Sequence, residues 1–122
     1  MDAQELQERT KTFALRVMRL VDALPAKRST NAISNQLVRS ATSVGANYRA
    51  TCRARSTAEF VAKLSIVVEE ADETLYWLEL ISAAGFVKPD LIAGLIAEAH
   101  ELLAIFARSR RTARKNQQVN KS

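Results

Sequence analysis

Cysteine, histidine, proline and glycine are scarce in this sequence of 122 residues, which has one Cys, one His, two Pro and three Gly. A lone Cys52 permits no internal disulfide and has no second thiol at metal-ligand spacing; its place near a core stripe predicts a small buried hydrophobe. A di-metal centre in a helical bundle needs Glu-x-x-His pairs on two helices. Here His100 follows Glu98 by two residues, off its helix face, and the acidic run 69–73 contains no imidazole, so no metal site is expected. Small all-β domains use Gly, Pro and Asn-Gly turns in their hairpins, and this chain lacks them. Long helices with few connections remain.

Other absences narrow the function. No stretch approaches eighteen consecutive apolar residues, which excludes a membrane-spanning helix. The first twenty residues are charged throughout, with no signal-like apolar run, so a cytoplasmic location is expected. No glycine-rich phosphate loop, nucleophile elbow or Ser-His-Asp set occurs, so neither catalysis nor a cofactor is expected. What is present is ordinary for a globular chain, 48% hydrophobic and 25% charged residues, and the length suits one domain.

The apolar spacing reads as four helices. Leu6, Thr10, Phe13, Val17, Leu20 and Leu24 alternate steps of four and three, the seam of a bundle helix over residues 6–24. Pro25 breaks it, and Ser29, Thr30 or Asn31 is expected to cap a second helix over residues 30–53, with the core stripe Ile33, Leu37, Ala41, Val44, Tyr48 and Cys52. Ser56 and Glu59 have capping-box spacing and open a third helix that Gly85 stops in a left-handed cap. Its core row is Phe60, Leu64, Val67, Ala71, Leu75 and Leu78. Pro89 suits the first turn of a fourth helix with Ile92, Leu95, Ala99, Leu102 and Phe106 inward. Short connections make neighbours antiparallel. The expected fold is all-α, an antiparallel up-down-up-down four-helix bundle over residues 1–109, followed by a basic, disordered tail over residues 110–122.

Charge is segregated along the chain. Residues 1–24 balance four basic against four acidic groups. Residues 25–63 carry Lys27, Arg28, Arg39, Arg49, Arg53, Arg55 and Lys63 against Glu59 alone, a balance of +6. Residues 64–106 set eight acidic groups against Lys88, for −7, and residues 107–122 hold six basic groups and no acidic one, for +6. The net charge of +5 conceals this pattern. At 100° per residue, Arg28, Arg39, Arg49 and Arg53 share one side of the second helix, opposite its core stripe, with Asn31, Asn35 and Thr42 among them. Guanidinium groups can fork onto phosphate oxygens and release counterions, so this face is a candidate nucleic-acid surface. A solvated face, or neutralisation by the third helix, would leave the same sequence pattern.

The third helix has a second row opposite its core: Ala62, Ile66, Glu69, Glu73, Tyr76 and Leu80, with Trp77 close by. A helix apolar on two sides in a small bundle points to a subunit contact, in which Glu69 and Glu73 could meet arginines of a neighbouring second helix.

The segment Gln36-Leu37-Val38-Arg39-Ser40-Ala41-Thr42-Ser43-Val44-Gly45-Ala46-Asn47-Tyr48, followed by Arg53-Ala54-Arg55-Ser56-Thr57-Ala58-Glu59-Phe60 and Glu69-Glu70-Ala71-Asp72-Glu73-Thr74-Leu75-Tyr76-Trp77-Leu78, resembles the four-helix bundle family of the 23S rRNA intervening-sequence protein. The resemblance covers about residues 9–111. Arg49-Ala50 stands where a Glu-Gly pair is frequent, which adds charge to the basic face. The resemblance implies an antiparallel bundle that assembles into homopentamers. The related accessory variability determinant proteins of diversity-generating retroelements bind nucleic acid and a reverse transcriptase through a basic surface. It thereby implies RNA or DNA, and a reverse-transcriptase-like protein, as partners, with Arg39, Arg49, Arg53 and Arg55 as nucleic-acid-binding positions.

Two functional readings result. In the first, a non-enzymatic homo-oligomer binds RNA or other nucleic acid through its second-helix arginines. In the second, those arginines and the third-helix carboxylates pair across subunits of a protein-binding scaffold, without nucleic acid.

Overall fold

Asp2 starts the first helix by accepting the Glu5 amide on its carboxylate at 2.8 Å, which satisfies one of the free N–H groups of the opening turn. In the computed structural model, which describes residues 1–121, four helices follow: α1 (Ala3–Asp22), α2 (Arg28–Thr51), α3 (Thr57–Ala84) and α4 (Pro89–Lys121). No strand occurs among the described residues.

The ends of the helices show which sequence signals prevailed. Ser56 Oγ accepts the Glu59 amide at 3.1 Å, and Gly85 closes α3 at φ 72°, a left-handed conformation that costs glycine little. Pro89 is the first residue of α4. The start of α2 differs from expectation. It begins at Arg28, before the three residues read as caps, and Thr30 serves from inside its first turn by accepting the Lys27 amide on Oγ1 at 2.9 Å.

Two further expectations are corrected. Cys52 is exposed, because α2 ends at Thr51 and this residue fills the last buried position, donating its hydroxyl to the Asn47 carbonyl at 2.8 Å. The expected disordered tail is helical over residues 110–121; Ser122 lies outside the described residues. Beyond Gly94 nothing in α4 interrupts the helix, and Ala, Arg, Lys and Gln favour it. At 33 residues α4 is the longest helix, about 50 Å at 1.5 Å per residue.

Each helix packs on its sequence neighbour, and α4 closes the ring against α1. The connections are short, so the helices run up, down, up, down. The seams read from the sequence are the core: Phe13, Val17, Leu37, Val44, Leu64, Val67, Leu78, Ile92, Leu102 and Phe106 are almost fully buried. Tyr48 of α2 and Phe106 of α4 meet across the core, with ring centroids 5.2 Å apart. Buried hydroxyls turn back onto their own helices. Thr10 donates to the Gln7 carbonyl at 2.8 Å and Thr74 to that of Glu70 at 2.7 Å. Gly45 lets α1 and α2 approach closely, since a Cβ there would lie 3.2 Å from Thr10 Oγ1.

The seam between α1 and α4 is the least extensive, and a charged clamp spans it. Arg9 donates through Nε and Nη2 to both oxygens of Glu98 at 2.7 and 2.6 Å, and through Nη2 to Glu101 at 2.7 Å. The hydrogen bond from Arg9 holds the Glu98 carboxyl below the usual carboxylate range.

Candidate nucleic-acid interface

Helix α2 and the connection after it carry the four arginines read as binding positions. All four are exposed, but they are not equivalent. Arg39 lies midway along α2, where its guanidinium reaches α3 of the same chain. Nη1 contacts Glu70 at 3.1 Å and Nη2 contacts Glu73. Gln36 adds a long contact to Nε at 3.4 Å. Arg39 is thus committed within its own subunit, one of the outcomes open at the sequence level.

Arg49, Arg53 and Arg55 form no ion pair among the described residues. They stand in the last turn of α2 and in residues 52–56, with side chains in solvent. The C-terminal dipole of α2 favours cations there without neutralising them. Arg49 also borders a shallow groove between α1 and α2 that includes Gln7, Glu8, Lys11, Thr42 and Gly45. The basic face is therefore split: its middle is paired to α3, Arg28 stands at the opposite end of α2, and three free guanidinium groups cluster at the C-terminal end. A cluster of this kind can engage successive phosphates.

The outer row of α3 divides similarly. Ile66 and Tyr76 are 44% and 56% exposed, and Glu69 is in solvent. Glu73 and Trp77 are half-buried. Trp77 Nε1 donates to Glu73 at 3.3 Å beside the Arg39 contact, and Tyr76 stacks edge-on to Trp77 at 5.1 Å. Leu80 is half-buried on the same side. Glu70, absent from the sequence-derived site, is the second carboxylate of the Arg39 network. Its signal was available: it is three residues before Glu73, one turn away on the side of α3 that meets α2.

Among the described residues no group of three or more His, Cys, Asp and Glu side chains is placed to hold a metal ion, and no helix is long and apolar enough to cross a membrane.

A family model described as 23S rRNA-intervening sequence protein matches residues 3–108. A crystal structure of a protein of unknown function, from the S23 ribosomal protein family of Bacteroides thetaiotaomicron, superposes with a TM-score of 0.81 at 30% identity, covering 91% of this chain and 99% of that one. No curated protein matches the chain. The family match ends at residue 108, so the basic end of α4 lies outside it.

Proposed function

The chain belongs to the 23S rRNA-intervening sequence protein family, and from that premise we propose that it is a non-enzymatic, cytoplasmic, self-assembling four-helix bundle that binds RNA through the C-terminal end of α2. One observation carries the reading: Arg49, Arg53 and Arg55 are exposed and without carboxylate partners, although the same chain neutralises Arg39. Free guanidinium groups at one place suit a phosphate backbone, whose binding is driven largely by counterion release. Base-specific readout is not part of the proposal, because the cluster has no aromatic stacking platform and no helix shaped for a groove.

Self-assembly is supported by the exposed Ile66 and Tyr76, which form an apolar row around Glu69 on α3. Five subunits is the number that the family resemblance implies. The scaffold reading, in which arginines and carboxylates pair only between subunits, is weakened at Arg39, whose partners are on its own chain.

The test is a filter-binding titration against single-stranded RNA at several salt concentrations. The account expects binding at low salt that weakens as salt rises. In the variant R49A/R53A/R55A the log-log slope should fall by about 2, at roughly 0.7 per lost phosphate contact. No binding at low salt, or an unchanged slope in the variant, would sink it.

A further inference from the structure

The helical end of α4 brings together two basic blocks that lie far apart in sequence. The ends of α2 and α4 and the starts of α1 and α3 all lie at one end of the bundle. The Tyr48–Phe106 contact sets the level of α2 against α4, so residues beyond about 109 extend past the last turn of α2. There α4 runs beside the first turn of α3: Phe60, Ile105, Ser109, Thr112, Ala113 and Asn116 line one hollow together with Met1 and Arg108. The opposite side of the same helical stretch holds Arg110, Arg111, Arg114 and Lys115 together along a shallow depression. The stretch is divided by face: Ser109, Thr112, Ala113 and Asn116 lie on one side, with Thr112 and Asn116 exposed, and the four cations lie on the other.

No acidic residue follows Glu101 in the sequence, and none of these four cations has an ion pair among the described residues. Arg110–Arg114 and Arg111–Lys115 are like-charge pairs one turn apart, an arrangement that opposes the helix unless an anion is present. The first turn of α3 starts directly after Arg53 and Arg55, so the two cationic groups lie at the same end of the bundle, on different sides of it. Glu59, the one acidic residue of that turn, forms no ion pair among the described residues.

We propose that the end of α4 is a second limb of the nucleic-acid surface, so that one phosphodiester backbone runs across this end of the bundle from the end of α2 and its connection to the cationic face of residues 110–115. This rests on the RNA-binding reading above and extends it to a segment beyond the family match. An anionic membrane is the other polyanion that a basic helix could meet. It would require an apolar side for insertion, and here the side opposite the cations carries Ser109, Thr112 and Asn116.

The experiment uses the full-length chain with the fourfold variant R110Q/R111Q/R114Q/K115Q beside R49Q/R53Q, in salt titrations against single-stranded RNA and in flotation with phosphatidylserine vesicles. Gln retains helix propensity. The inference expects the fourfold variant to lower the salt slope by about 3, R49Q/R53Q to lower it by about 1.4, and the four-Lys counterpart to keep the wild-type slope, at roughly 0.7 per phosphate contact. Should the fourfold variant fail to fold, R110Q/R114Q and R111Q/K115Q are each expected to show about half its effect. Wild-type slope in the α4 variants, with R49Q/R53Q weakened, would overturn this inference while leaving the α2 reading intact. No RNA binding by the wild type would remove both. Vesicle flotation that is lost in the fourfold variant while RNA binding persists would assign the limb to membranes and overturn the inference.

Discussion

At the scale of residues, the chain treats similar side chains very differently according to what faces them. Arg9 and Arg39 are held by pairs of carboxylates, whereas Arg49, Arg53 and Arg55 are left to solvent. The Arg9 clamp is the ion pair most relevant to stability, because it is two-pronged and little exposed, at 22% for Arg9 and 16% for Glu98. Glu98→Gln is expected to cost about 1–2 kcal/mol at neutral pH, read from urea unfolding. Because folding lowers the Glu98 pKa, the stabilisation is present above the ordinary carboxylate range and is lost as pH falls through the folded value. The gap between wild type and Glu98→Gln should therefore close on acidification; a gap that is independent of pH would contradict the clamp. Gly45 gives a steric prediction. With Thr10 Oγ1 3.2 Å from the missing Cβ, Gly45→Val should destabilise by about 1–3 kcal/mol through overpacking. An unchanged urea midpoint would show that α1 yields freely.

At the scale of elements, the helices were legible because their inward residues are large, apolar and regularly spaced. Phe13, Val17, Leu64, Leu78, Leu102 and Phe106 are in the core as that spacing implies. The end of α4 was not legible. Positions 105, 109, 112 and 116 continue the steps of four and three, but after Ile105 they are Ser, Thr and Asn, of which Thr112 and Asn116 are exposed, and the neighbouring arginines dominate the composition. Cys52 was misplaced for a related reason: the stripe has the right period, and the helix ends one residue earlier. The pairing of Arg39 with Glu70 and Glu73 depends on the register between α2 and α3, which no single-helix pattern contains. If residues 110–116 are helical, their amides should be protected from hydrogen exchange relative to an unfolded peptide. Ala113→Pro should abolish that protection and reduce helical circular dichroism. Unprotected amides in the wild type would contradict the helical end. At the other end of the bundle, Gly85→Ala should cost about 1 kcal/mol in urea unfolding, because a Cβ is disfavoured at φ 72°.

At the scale of the whole molecule, the segregated charge becomes a polar distribution in space. The acidic surplus of residues 64–106 is partly spent on Arg9 and Arg39 within one chain, while Arg49, Arg53 and Arg55 and the basic end of α4 lie at one end of the bundle. The exposed row of α3, with Ile66 and Tyr76, is a separate surface on the flank of the bundle, the one proposed above to meet another copy of the chain. Ile66→Asp with Tyr76→Asp is expected to lower the mass measured by light scattering to that of a single subunit, 13.5 kDa; an unchanged mass would place the contact elsewhere. The most direct measurement of the central claim is photo-crosslinking of bound single-stranded RNA, with adducts located by mass spectrometry. The account predicts adducts in peptides containing residues 49–55 and 108–115. Adducts confined to the opposite end of the bundle, around residues 23–28 and 85–90, or to the outer face of α3, would contradict it.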